Sequence, residues 1–193
     1  MSEADTHRFD AVILAGGAAR RMGGEDKALI TIGASTLLQR VLGAVAEAER
    51  VICVGPTRNT EVDVEWTQEA PPGGGPVAAL AAGLARVTAP ITLVAAVDLP
   101  FLQRTVVSRL VTGCIDCDAA LVVDESGVPQ PLIAAYRTDP LRQRLSKLRD
   151  PMGVAMKDLL EGLSTSLLEA PGVALDCDTR VDVQLARANE GVR

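Results

Sequence analysis

The chain has 193 residues, of which 48% are hydrophobic, 23% charged and only 2% aromatic, with a formal net charge of −6. That is the size and balance of one globular domain with a core of Ala, Val and Leu. One Trp, one Tyr and two Phe leave almost no platform for base stacking, and an acidic chain is poorly suited to coating nucleic acid.

The N-terminal "MSEADTHRFD" is polar and acidic, and residues 1–8, including the lone His7, are expected to be a disordered tail. Nothing reads as a signal peptide or membrane span, and four cysteines form no secreted disulfide framework, so a cytoplasmic protein is expected. A buried strand follows at Asp10–Leu14, an apolar run closed by glycine. Ser35 is placed to cap a helix carrying Leu37, Leu38, Val41, Leu42 and Val45. Strands are predicted at Arg50–Gly55 and, more weakly, at Val62–Trp66. "PPGGGP" is a loop from which Pro76 opens an Ala-rich helix. "ITLVAAVD" is a strand ending on Asp98, and a helix follows over Gln103–Val111. "DAALVV" and "PLIAAYR" form a strand pair whose link is too short for a crossover helix, so one of them should run antiparallel. Further helices are predicted at Pro140–Leu148, Val154–Leu160 and Asp182–Asn189.

Strands alternating with helices predict a three-layer α/β sandwich around a mostly parallel, Rossmann-like sheet with one antiparallel strand. In such sheets ligands bind beyond the carboxyl ends of the strands. Three marked features share that position: "AGGAARRMGGEDK", "EAPPGGGP", and Asp98 in "VDLP". They should converge on one cleft.

The first loop does not fit the usual phosphate motifs. Its glycines are adjacent pairs, Gly16-Gly17 and Gly23-Gly24, rather than G-x-G-x-x-G, and Lys27 lies between Asp26 and Ala28 rather than in G-K-[ST]. Adjacent glycines nevertheless bring backbone N–H groups close to a base and phosphates. Arg21 and Lys27 can neutralise a triphosphate, and Asp98 suits Mg²⁺, which takes one or two carboxylates beside phosphate oxygens. "CIDC" at Cys114–Cys117 has thiol-pair spacing, but no second pair or histidine follows for zinc; these thiols and Cys53 are expected in or near the core.

"LAGGAARRMGGEDKAL" resembles the signature of the molybdenum cofactor guanylyltransferases, which read L-A-G-G, then R-M-G, then D-K. "PPGGGPVAAL", "AVDLPFL" and "QPLIAAYR" are similar to later blocks of that family, in order, so the likeness spans essentially the whole chain. It implies Mg²⁺-dependent transfer of GMP from GTP to the terminal phosphate of molybdopterin, with release of pyrophosphate. By that resemblance Leu14, Ala15, Gly16 and Gly17 meet the nucleotide. Arg21 and Lys27 hold the triphosphate, Glu69 and Gly75 line the glycine loop, and Asp98 binds the metal. Protein partners implied are transient contacts with other proteins of molybdenum cofactor biosynthesis.

Two segments depart from the family pattern. "DCDT", Asp176 to Thr179, stands where the family has Asn-x-Asn-Thr, so Asp178 either ligates the metal or repels an acceptor phosphate. Nothing basic lies between Arg149 and Lys157, where the family tends to carry a cation. Alternatives are cytidylyl transfer to the same cofactor, nucleotidyl transfer to a sugar phosphate, or a non-catalytic nucleotide-binding homologue; L-A-G-G favours guanine.

Overall fold

The computed structural model describes residues 7–16 and 24–190. Among them are nine strands and five α-helices: β1 (Phe9–Leu14), β2 (Thr31–Ile32), β3 (Ser35–Thr36), α1 (Leu37–Ala44), β4 (Val51–Val54), β5 (Glu65–Thr67), α2 (Pro76–Leu84), β6 (Ile91–Ala96), α3 (Arg104–Gly113), β7 (Ala119–Val123), β8 (Pro129–Arg137), α4 (Thr138–Ser146), β9 (Thr165–Glu169) and α5 (Arg180–Asn189). Short 3-10 turns occupy Lys27–Leu29 and Met156–Leu160.

Seven strands form one sheet in the order β5-β4-β1-β6-β8-β7-β9. All its pairs are parallel except those made by β8, which runs antiparallel to both β6 and β7. The β7–β8 hairpin turns on Asp124, whose carboxylate accepts from the backbone N of Ser126 at 2.8 Å and of Val128 at 2.9 Å.

Period-two alternation along β1 divides the core. Ala11 and Ile13 pack with Leu38, Val41, Val106 and Leu110 of α1 and α3 on one face. Val12 and Leu14 pack with Val77, Leu80 and Leu141 of α2 and α4 on the other. The sheet is therefore covered on both sides, as a parallel sheet requires. Helix α2 lies unusually close, because a Cβ at Gly83 would come within 2.5 Å of Val12 Cγ1.

Four local expectations need correction. Thr36, not Ser35, caps α1: its hydroxyl accepts from Gln39 N at 3.2 Å, and Gln39 Oε1 accepts from Thr36 N at 2.8 Å. Both residues pair in the small β2–β3 hairpin, and Thr36 is its last residue, directly before α1. Strand β6 ends at Ala96, leaving Asp98 two residues into the following turn. The segment expected as a helix at Val154–Leu160 is a single 3-10 stretch. Strand β9 was unforeseen; its side chains alternate exposed and half-buried at the sheet edge, so it carries little apolar signal. Arg8, placed with the tail by the sequence, forms a two-point pair with Glu49 at 2.6 and 2.9 Å.

A smaller apolar cluster of Ile32, Leu37, Phe101, Cys177, Val183 and Ala186 fastens the C-terminal segment and α5 onto the β2–β3 hairpin. Among the described residues no helix is long and apolar enough to cross a membrane.

Candidate active site

The carboxyl ends of β1, β4 and β6 and the start of α2 open into one cleft of about 820 Å³, within the range of small-molecule sites. Of the residues singled out from the sequence, Leu14, Gly16, Lys27, Glu69, Gly75 and Asp98 line it. Ala15 is buried behind that wall, with its N donating to Val54 O at 2.9 Å. Asp178 joins the others through Lys27. Gly17 and Arg21 lie outside the described residues.

The wall at β1 depends on a residue the sequence reading passed over. Gly55 follows β4 with φ +147°, and a Cβ there would stand 2.7 Å from Gly16 N and 2.8 Å from the Ala15 carbonyl. Two strand ends meet backbone to backbone at this point, and only glycine permits it. The signal was available: "VICVG" closes an apolar run with glycine, as "VILAGG" does.

The opposite wall is the loop before α2. Glu69 Oε1 accepts from Gly73 N at 2.9 Å, which folds the carboxylate back onto its own loop. Gly75 is the N-cap of α2, followed by Pro76 at the first helical turn. The Gly74 carbonyl accepts from Gly153 N at 2.9 Å, joining this loop to the segment before the Met156–Leu160 turn.

Charge concentrates at Lys27. Its Nζ donates to Asp98 Oδ2 at 2.9 Å and to Asp178 Oδ1, with 17% of the side chain exposed. Partial burial works against the ammonium, but hydrogen bonds and charge from Asp178 and Asp98 outweigh it and raise the pKa above its ordinary 10.5. Partial burial, then the neighbouring carboxylates Asp178 and Asp98, push Asp176 above the usual carboxylate range. The "DCDT" segment is held there by Cys177, whose N donates to the Asp98 carbonyl at 3.0 Å and whose side chain is fully buried. Burial raises that thiol to about 12, so it is an apolar anchor.

A second charged group flanks Lys27. Asp26 caps the Lys27–Leu29 turn and is held by Arg58, which lies against Trp66. The cap is local in sequence, but the pair with Arg58 joins residues 32 apart. Cys53 and Cys114 are buried thiols raised to about 12, and Cys117 is partly exposed; the Cys114–Cys117 pair follows α3 rather than opening a helix.

Two carboxylates meeting on one cation suit a divalent ion that completes its shell with phosphate oxygens. A cleft lined by exposed backbone, the Lys27 ammonium and the Asp98 carboxylate is equipped to bind a nucleoside triphosphate and stabilise charge at its phosphates.

Residues 11–166 match the MobA-like NTP transferase domain family. A molybdenum cofactor guanylyltransferase of Rhodopseudomonas palustris is 37% identical over 146 residues, 70% of this chain and 68% of that one. Molybdopterin-guanine dinucleotide biosynthesis protein A of Archaeoglobus fulgidus superposes with a TM-score of 0.73 at 21% identity, covering 95% of this chain and all of that one. A 2-C-methyl-D-erythritol 4-phosphate cytidylyltransferase of Thermus thermophilus superposes equally well, with a TM-score of 0.73 at 21% identity over 94% and 98% of the two chains. The fold is thus common to a molybdopterin-guanine dinucleotide biosynthesis protein and a cytidylyltransferase.

Proposed function

The chain belongs to the MobA-like NTP transferase family, and on that premise we propose that it transfers GMP from GTP to the phosphate of molybdopterin, with Mg²⁺, releasing pyrophosphate. It is a nucleotidyltransferase acting on small molecules. The observation that carries the finer reading is the meeting of Lys27 and Asp98, which line the cleft, with Asp178 beside it. The choice of guanine and molybdopterin draws support from the R. palustris relative and the L-A-G-G signature.

In this reading an acceptor phosphate oxygen attacks the α-phosphorus of GTP. A new P–O bond forms as the bond to the pyrophosphate oxygen breaks. The acceptor is already anionic, so no general base is required, and the barrier is chiefly the approach of two anions and charge on the leaving group. Backbone at Leu14, Gly16 and Gly55, which line the cleft, would face the nucleotide. Two N–H groups of Lys27 serve Asp98 and Asp178, and the third serves a phosphate oxygen. Arg21 adds a second cation. Asp98 and Asp178 would hold Mg²⁺, which supplies positive charge against the phosphate oxygens.

The test is to incubate the protein with Mg²⁺, molybdopterin and each NTP in turn, and follow pyrophosphate. Release with GTP well above that with CTP is expected. No release with GTP would sink the proposal, and release only with CTP would move it to cytidylyl transfer.

A further inference from the structure

Arg58 stands on the loop after β4, among the residues that line the cleft, yet only 9% of its side chain is exposed. Its Nε donates to Asp26 Oδ2 and its Nη2 to Asp26 Oδ1, both at 2.7 Å. Its Nη1 donates to the Pro56 carbonyl at 2.9 Å. The guanidinium carbon lies 5.7 Å from the centroid of the Trp66 ring, within cation–π range. Each of its three nitrogens therefore already serves the protein, and its charge lies over the Trp66 ring. That is the arrangement of a strut rather than of a group that grips substrate.

Asp26 is the next link. The same Oδ1 that receives Arg58 also accepts from Ala28 N at 3.1 Å, capping the turn that begins at Lys27. Lys27 is consequently held at both ends. Asp26 sets its backbone, and Asp98 and Asp178 receive its Nζ. A carboxylate gripped by a two-point fork cannot swing off its capping donor without breaking two charge-assisted bonds.

We propose that Arg58 is a positioning residue for Lys27, acting through Asp26 and braced on Trp66. It anchors the capping carboxylate to the β4–β5 edge of the sheet, and so fixes the point from which Lys27 reaches across the cleft. The proposal rests on the nucleotidyl-transfer reading and deepens it. A lysine at position 58 keeps the charge but loses the two-point fork to Asp26, so Arg58→Lys separates geometry from charge.

The experiment has two arms, run on wild type, Arg58→Lys, Asp26→Asn and the double variant. The first uses no substrate: acetic anhydride labels lysines briefly, and mass spectrometry reads Lys27 against the exposed Lys147 and Lys157 as internal references. Each single variant should label Lys27 about tenfold faster relative to those references, and the double variant no faster than either; unchanged Lys27 labelling overturns the proposal. The second arm measures kcat and KM with GTP and molybdopterin. Arg58→Lys should lower kcat about tenfold in the wild-type background and have almost no effect in the Asp26→Asn background. An equal loss in both backgrounds would mean that Arg58 acts on substrate directly, and would also overturn it. A wild-type protein that makes no pyrophosphate from GTP defeats the functional reading alone, because the labelling arm still decides the role of Arg58.

Discussion

Two regions that meet at Lys27 and Asp98 beside the cleft are built by different means. The wall at Leu14–Gly16 and Gly55 is the terminus of a parallel sheet, in which Leu14 is in register with both Val54 and Ala96. The side that carries Asp178 is a loop segment docked from outside, held by one backbone bond from Cys177 to Asp98 and by a satellite apolar cluster. Backbone pairing over several strands leaves the first wall little freedom, whereas the second depends on a few side chains. The residues of the first wall therefore inherit their positions from topology, and Asp178 gets its position from packing.

Asp98 belongs to both sides, and its loss should have the largest effect. Asp98→Ala is expected to lower turnover about a thousandfold while leaving the melting temperature within a few degrees, because the side chain lies outside both main core layers. A rate within a few-fold of wild type would take Asp98 out of the chemistry.

Gly55→Ala attacks the sheet-built side alone. With 2.7 Å between the new Cβ and Gly16 N and a φ of +147°, it should cost about 2–3 kcal/mol in chemical denaturation and raise the KM for GTP. An unchanged unfolding midpoint would show that the ends of β1 and β4 can part freely. Val183→Ala attacks the docked side, through the satellite cluster. It should cost about 1–2 kcal/mol and raise the KM for the acceptor more than that for GTP. Equal rises would mean that the two sides behave as one unit.

The smallest effect concerns acid. Hydrogen bonds from Arg58, aided by its charge and opposed by partial burial, hold the Asp26 carboxyl below its ordinary 3.8. A depressed folded value means that Asp26 adds stability in full above about pH 3.8 and loses it as pH falls through the folded value. Asp26→Asn should lower stability at pH 7 by less than about 1 kcal/mol, since the carboxylate is over a third exposed. The gap to wild type should close as urea denaturation is repeated below pH 3.8. A constant gap would separate that pair from stability.

Most of the fold was legible because its strands are continuous apolar runs, and buried parallel strands have to be. The antiparallel β8 followed from the shortness of its link to β7. Strand β9 escaped because an edge strand with one half-buried face has almost no periodic apolar signal. At the site, Lys27, Asp98 and the glycine loop were readable as features at strand ends. The Asp26–Arg58–Trp66 chain was not, because its members lie far apart in sequence and come together only when β5 pairs beside β4. Thr36 was missed in favour of its neighbour because both are good caps, and only the point at which the β2–β3 hairpin gives way to α1 decides between the two.

The docked segment has one property that bears on how such a chain can diverge. From Asp176 to Asp178 the side chains are exposed, buried and half-exposed in turn, with the thiol inward and a carboxylate on either side. What the surrounding packing reads here is parity. Lengthening the segment by two residues preserves the inward thiol and outward acids, but a single inserted residue would press a carboxylate into the satellite core, at a cost of several kcal/mol. Tolerated length variation ahead of α5 is therefore expected in even steps, with a small apolar residue kept at every inward place.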